Sequence, residues 1–364
     1  MAAPYDIAII GAGMAGASLA AAVAPHARVV VLEAEETPGY HATGRSAAFW
    51  SETYGGPAIQ PLTTASGPFL RKSGYLAPLG SLHIGRGTDA AAADAFLATF
   101  ANSDVALTRV DPAALVPGLR PDWTIGVLEA SCAYIDVAAL HANVIATARR
   151  SGADFVTDAA FTAATRSGGR WTIETRAGQY AASILVDAAG AWADIVAARA
   201  GVRPLGLQAY RRTMAQVRTD PGAPDGMPHV ADIAGQFYFK PEPGGRVWLT
   251  PHDEIPSAAC DAAAEEIDVA LAIDRFEQVV DWRVAAVERR WAGLRTFAPD
   301  RLPVYGFDAR VPGFFWYAGQ GGFGIQTAPA AAALAASLML AIGSEPEVAA
   351  IDPARYSPHR LRSS

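Results

Sequence analysis

The sequence predicts a mixed α/β fold of two domains: a parallel-sheet domain assembled from distant parts of the chain, with a second, antiparallel-sheet domain inserted into it. Three observations predict it. The chain opens with an apolar strand, a glycine-rich turn, a small-residue helix and a second strand, which together make one β-α-β unit. Turns of small residues follow strands again near residues 190 and 321, so one ligand would be met by three distant segments. Between Gln208 and Val287 strands and turns dominate.

The elements follow in order. Asp6-Ile7-Ala8-Ile9-Ile10 is a buried-strand run, and Gly11-Ala12-Gly13-Met14-Ala15-Gly16 is a GxGxxG turn. A helix from Ala17 to Ala24 stops at Pro25, and Arg28-Val29-Val30-Val31-Leu32 is a second strand ending at Glu33. In such a unit Gly11 permits the tight turn, Gly13 lets the backbone approach a pyrophosphate, and Gly16 lets helix and strand pack closely. The helix N-terminus offers free amides to phosphate, and Glu33 can accept hydrogen bonds from two ribose hydroxyls. The unit therefore reads as Rossmann-like and nucleotide-binding.

Beyond Glu33 the chain does not continue as regular βα units, which disfavours a plain nicotinamide dehydrogenase. Residues 60–130 read as irregular, punctuated by Pro61, Pro68, Pro78, Pro112, Pro117 and Pro121. A helix is expected over Val137–Arg150, a short strand over Asp154–Val156, and a hairpin from Phe161–Thr165 and Trp171–Thr175 around Ser167-Gly168-Gly169. Ile184-Leu185-Val186 then meets the small-residue turn Asp187–Trp192, a helix lies near Ala262–Phe276, and Gly319–Gly324 precedes an alanine-rich helix. This organisation suits a flavin enzyme. The expected cofactor domain comprises residues 1–55, 135–207 and 288–364, and the substrate domain residues 56–134 and 208–287.

Composition narrows the function classes. Hydrophobic residues make up 51% and charged residues 18%, and a net charge of -7 disfavours a nucleic-acid partner. Cys132 and Cys260 form no CxxC pattern, and no spacing among the seven histidines suggests a metal site. The opening MAAPYDIAIIGAG lacks a basic leader segment, and the apolar stretch Ala328–Ile342 is broken by Pro329 and too short to span a bilayer. A cytoplasmic monomer or homodimer is expected.

The segments GAGMAGAS, VVVLEAEETPGYHATGRSAA, LVDAAGAWAD, AGVRPLGLQAYRR, FYFKPEPG, WAGLRTFAPD and GFFWYAGQGGFGIQTAPA carry a resemblance that spans nearly the whole chain. In this order they resemble FAD-dependent enzymes of the D-amino-acid oxidase and glycine oxidase superfamily, most closely bacterial D-arginine dehydrogenases. The resemblance implies non-covalent FAD, with Gly11, Gly13, Met14, Ala15, Gly16 and Glu33 at its ADP part. Thr43, Gly44, Arg45, Ser46 and Ala47 would line its pyrophosphate and flavin side, and Phe161 would place its backbone at the adenine. Ala188, Gly190 and Trp192 would close over the cofactor, and Gly321, Gly322, Phe323, Gly324 and Ile325 would reach the flavin ring.

For substrate, the resemblance implies that Arg212 and Arg295 clamp an α-carboxylate, with Tyr54 and Tyr238 beside it. A guanidinium fork matches a carboxylate bidentately and fixes the Cα–H. Strand alternation alone puts one of Arg211 and Arg212 on a solvated face without choosing between them; only the resemblance picks Arg212. His41 reads as shaping the cofactor loop, and His83 and His252 as ordinary polar contacts.

Two positions depart from the D-arginine dehydrogenase pattern. Phe49 stands where those enzymes have a histidine, and Ser81 where they have the glutamate that receives a cationic side chain; residues 68–84 contain no acid. A pocket of Phe49, Trp50, Ser81 and Gly322 suits a neutral side chain, because a cation buried there would lack a partner. The expected reaction is oxidative deamination of a neutral D-amino acid. The alternatives are oxidation of glycine, sarcosine or another secondary amine, and a flavin-binding protein without turnover. Oxygen, a quinone or a dye-like acceptor would take the electrons.

Overall fold

The computed structural model describes residues 4–362; the outer limits of the expected domains, residues 1 and 364, lie outside the described residues. Tyr5–Ile10 lies between Val29–Leu32 and Gly178–Asp187, all three parallel. Asp154–Val156 continues this parallel core on one side and Phe314–Ala318 on the other. Gly178–Asp187 serves two partners along one edge. Its first half closes an antiparallel meander with Phe161–Ser167 and Arg170–Thr175, and its second half pairs with Phe314–Ala318.

The unbroken apolar strands are buried on both faces, as central parallel strands are. Ile7, Ile9, Val29, Val31 and Val186 pack on one side, while Ala8, Ile10, Val30, Leu32 and Leu185 pack under Phe161 and Trp171 on the other. The helices are α1 (Met14–Val23), α2 (Gln60–Lys72), α3 (Ala90–Phe100), α4 (Val137–Arg150), α5 (Ala193–Arg199), α6 (Glu266–Glu277) and α7 (Ala328–Leu340). Helix α1 packs against α4 and α7. Its alanines allow that close approach, and a Cβ on Gly16 would collide with the Gly11 carbonyl.

The second sheet runs in the order Gln320–Gly321, Arg283–Phe297, Gln208–Asp220, Arg246–Thr250, Tyr238–Glu242, His229–Asp232, Ser81–Arg86, Trp123–Glu129, Leu107–Arg109. It is antiparallel except where His229–Asp232 runs parallel to Ser81–Arg86. A small third sheet joins Phe49–Trp50, Ala133–Ile135 and Leu76–Pro78. The boundary expected at residue 288 falls inside Arg283–Phe297, whose whole length belongs to the second sheet. Helix α2, expected in the substrate domain, buries Leu62 in the core of the first sheet.

Residues 60–130 are not irregular. They contain α2, α3 and three strands of the second sheet. Pro61 sits in the first turn of α2, where a missing N–H costs nothing, and Pro68 lies within the helix. Pro329 likewise starts α7 instead of breaking the apolar stretch. No helix among the described residues is long and apolar enough to cross a membrane.

Candidate active site

An elongated cavity of about 510 Å³ runs between the two large sheets. Its walls come from the glycine turn, residues 32–35, residues 39–43, residues 45–49, Tyr54, residues 160–161, residues 188–192, residues 195, 196 and 199, residues 293–296, residues 320–322 and residues 324–326. One end is built for a nucleotide. Gly11 adopts φ +100°, and a Cβ there would lie 2.7 Å from the Ala188 carbonyl oxygen. Gly13 caps α1, whose first residues Met14 and Ala15 face the cavity. Glu33 is buried at the strand end and accepts from Ala12 N at 2.6 Å and Glu35 N at 3.1 Å.

The loop after Glu33 is fastened from several sides. Thr43 Oγ1 accepts from Met14 N at 2.9 Å, joining it to the start of α1. His41 lies between Glu35, 2.8 Å from its Nε2, and the Trp192 ring at 4.6 Å. His141 of α4 holds the glycine turn through its Nε2, 2.9 Å from the Ala12 carbonyl, and abuts Gly39, where a Cβ would come within 2.7 Å of it. Burial lowers the His141 pKa, so the neutral ring donates from Nε2.

The other end brings together side chains from four separate elements, of which Tyr54 and Arg295 line the cavity while the expected Arg212 and Tyr238 are buried behind its wall. Arg295 comes from Arg283–Phe297, Arg212 from Gln208–Asp220, Tyr238 from Tyr238–Glu242, and Tyr54 from the segment after Phe49–Trp50. The Arg295 guanidinium lies beside Tyr54 Oη, both of them against Gly322. Gly322 makes room for both, since a Cβ there would lie 2.5 Å from Tyr54 Oη and 3.2 Å from Arg295 Nε. Arg212 is buried behind them, donating to the Asp253 carbonyl and to Glu254 at 3.1 Å, while its Nη1 has no partner. Burial, then repulsion from Arg295, lower the Arg212 pKa below the ordinary arginine value. Burial pushes the Tyr238 phenol up to about 12.

Phe49 closes this end, its ring 5.2 Å from Tyr54, 5.7 Å from Tyr238 and 4.7 Å from His229. Three enclosed histidines lie near this end. Burial takes His83 down to about 4 and His252 to about 3, and holds His229 well below the ordinary imidazole range.

Residues 6–338 match the FAD dependent oxidoreductase family, known as DAO. The chain belongs to that family. Solved structures share its fold along essentially the whole length. L-proline dehydrogenase from P. horikoshii superposes with a TM-score of 0.87 at 18% identity, covering 100% of this chain and 99% of that one. Glycine oxidase from Geobacillus kaustophilus gives 0.83 at 22%, covering 97% and 98%. FAD-bound L-alpha-glycerophosphate oxidase from Mycoplasma pneumoniae gives 0.84 at 14%, covering 94% and 97%.

The cofactor of this family is FAD, and the cavity fits it. The cradle at Gly11 and Gly13 leaves backbone exposed where a Cβ would intrude, α1 points its N-terminus at that cradle, and Glu33 stands beyond it. The cavity wall includes Gly11, Gly13, Met14, Ala15, Glu33, Thr43, Arg45, Ser46, Ala47, Phe161, Ala188, Gly190, Trp192, Gly321, Gly322, Gly324 and Ile325. Gly16, Gly44 and Phe323 do not line it. Gly16 packs α1 on its strand, Gly44 closes a turn onto the Gly39 carbonyl, and Phe323 packs between Tyr54 and Phe297.

Other expectations are corrected by strand geometry. Trp50 points away from the cavity, because successive strand residues face opposite sides. It is fully buried, donating to the Thr63 carbonyl at 3.2 Å beneath Arg71. Ser81 is also outside the wall, bonded to His229 Nδ1 at 2.9 Å. Arg45 sends its guanidinium away from the glycine cradle, to Asp261 and the carbonyls of Ala262 and Ala292. Arg211 is not simply solvated; it is ion-paired to Glu265 and Asp268. Cys260 reaches the cavity wall, whereas Cys132 is buried.

Sequence reasoning missed His141 and Gln326. Gln326 accepts from Ser51 N at 3.3 Å and donates to the Tyr54 carbonyl at 3.0 Å, tying the turn after Gly324 to the segment that carries Tyr54.

Proposed function

We propose that the protein oxidises an α-amino acid at its Cα–N bond with FAD as cofactor, and that its preferred substrate is a neutral D-amino acid. One observation carries the reading. Arg295 ends the cavity without an ion pair among the described residues, and beside it Arg212 keeps Nη1 buried and unpartnered. Adjacent buried cations repel, and a buried unpaired donor is costly. A substrate carboxylate at the Arg295 fork places negative charge beside both and offsets the repulsion.

The chain's residues bind and orient the substrate. The Arg295 fork takes the carboxylate, Arg212 adds charge from behind, and Tyr54 and Tyr238 supply phenol groups, that of Tyr238 held protonated by burial. When bound, FAD supplies the acceptor for the hydride leaving Cα; water then hydrolyses the imino acid to a 2-oxo acid and ammonia. Burial lowers the pKa of the histidines near this end and favours their neutral form, and in this reading the substrate amine enters deprotonated.

Phe49 on the wall supports a neutral side chain. The nearby acids are engaged: Glu129 accepts from Ser51 and Thr53, and Glu52 accepts from Thr64 and Ser131. Neither lines the cavity. The D configuration rests on the likeness of the quoted segments to D-arginine dehydrogenases. Glycine and sarcosine would fit the same clamp and belong in the test.

The experiment is anaerobic mixing of the FAD-loaded protein with D- and L-amino acids, glycine and sarcosine, followed by air, a quinone or a dye. Neutral D-amino acids are expected to bleach the flavin band fastest. Highest kcat/KM with D-arginine or D-lysine would sink the side-chain assignment, and no bleaching by any amine would leave a flavin-binding protein without turnover.

A further inference from the structure

We propose that Glu129 is a positioning residue of the reaction, holding the segment Ser51–Tyr54 so that Tyr54 and Phe49 face the substrate. The proposal rests on the carboxylate clamp described above. Glu129 ends the strand Trp123–Glu129 and is fully buried. It forms no ion pair among the described residues, yet it gathers donors from the segment beside the clamp. Its Oε2 accepts from Ser51 Oγ at 2.7 Å and Thr53 Oγ1 at 2.6 Å, and its Oε1 from Glu52 N at 2.7 Å and Ser131 Oγ at 3.4 Å. Three of these four donors belong to consecutive residues, Ser51, Glu52 and Thr53.

Phe49 lies two residues before this run and Tyr54 directly follows it. Gln326 fastens the same segment from the opposite side, through Ser51 N and the Tyr54 carbonyl. The segment is thus held between the second sheet and the turn that reaches the flavin end of the cavity. Tyr54 has little freedom to compensate for a shift, because its Oη already meets Arg295 and the open face of Gly322.

The donors all point inward, so the ionised carboxylate is the form that fits. A protonated Glu129 would have to aim its own O–H at a donor hydroxyl. Burial raises its pKa, and the Glu52 carboxylate on the same segment raises it further. His83 approaches from the strand Ser81–Arg86 through Thr53, and Cys132 follows in the turn after the strand. Proton uptake by Glu129 as pH falls therefore loosens the segment, and Glu129→Gln imitates that state.

The test uses FAD-loaded wild-type, Glu129→Gln, Thr53→Val and Arg295→Ala proteins, titrated with benzoate, a carboxylate that has no amine. Binding is read from the perturbed flavin spectrum at neutral pH and in steps toward acid. Wild-type binding should weaken as pH falls. Glu129→Gln should bind about tenfold more weakly already at neutral pH and show no further acid loss, with FAD affinity unchanged. Its KM should rise more than its kcat falls. Thr53→Val, which removes one donor and keeps the shape, should weaken binding by a smaller factor and carries the test if the glutamine variant does not fold. Wild-type benzoate affinity and pH dependence in the glutamine or valine variant would overturn the proposal, as would loss of FAD affinity in proportion to benzoate affinity. Arg295→Ala separates the two readings: unchanged benzoate binding there overturns the clamp itself, and this proposal with it.

Discussion

At Gly322 the absence of a side chain decides whether two functional groups can meet. The missing Cβ leaves space that Tyr54 Oη and Arg295 Nε fill, and no positive φ restricts this position to glycine. Gly322→Ala should therefore fold and keep its FAD while displacing the clamp. A misplacement of about an ångström beside the reacting centre costs up to about a hundredfold, so KM should rise roughly tenfold to a hundredfold. Steady-state kinetics and flavin absorbance on the same preparation check it; unchanged KM would mean that Tyr54 and Arg295 do not act together. Gly321 makes a contrast, because it adopts φ +53° and a Cβ there would strike Phe297. Neighbouring residues also explain the errors of the sequence reading. Phe49 and Trp50 were both expected at the substrate, but on a strand only one of them can face the cavity, and the pleat selects Phe49. Residues 68–84 contain no acid, whereas Glu129 lies directly across the strand pair from Ser81. Proximity set by sheet register leaves no mark in local sequence.

Among the elements, the nucleotide-binding unit was legible and the proposed clamp was not, for a physical reason. The turn between Tyr5–Ile10 and α1 needs backbone room at fixed offsets, and that need writes Gly11, Gly13 and Gly16 into consecutive sequence. The proposed clamp would draw one side chain from each of four elements, so nothing local marks it, and only the likeness to known enzymes named its members. Helix α4 shows the same divide. Its span, Val137–Arg150, followed from composition, yet the task of His141 depends on a contact with Ala12, far away in sequence. Removing that side chain would leave the Ala12 carbonyl without its donor and a gap under Gly39, slackening both cofactor loops at once. We expect His141→Ala to weaken FAD binding by roughly tenfold while leaving kcat unchanged at saturating FAD. Flavin fluorescence during dilution measures the first and turnover with added FAD the second. A lower kcat at saturation would place His141 in the chemistry instead.

Across the molecule, the cavity wall is shared between the two large sheets. The glycine turn, Glu33 and Phe161 belong with the first sheet, whereas Gly293, Arg295 and Gly321 belong to strands of the second. FAD that fills the cavity therefore bridges both sheets, while ADP alone reaches only the end built on the first. A ligand that binds only the folded state stabilises it by RT ln(1 + [L]/Kd), about 2.7 kcal/mol at a hundredfold excess over Kd. Protein stripped of FAD should consequently melt at a lower temperature, and its midpoint should climb with the logarithm of added FAD. ADP at the same multiple of its own Kd should protect the first-sheet strands Tyr5–Ile10 and Val29–Leu32 from amide hydrogen exchange. It should leave Arg283–Phe297 and Gln320–Gly321 as exposed as in the stripped protein, whereas FAD should protect both sets. Equal protection of the second sheet by ADP would show that the sheets are already locked together without the flavin. In that case the clamp residues would be preorganised by protein contacts alone, and FAD binding would contribute nothing to their alignment.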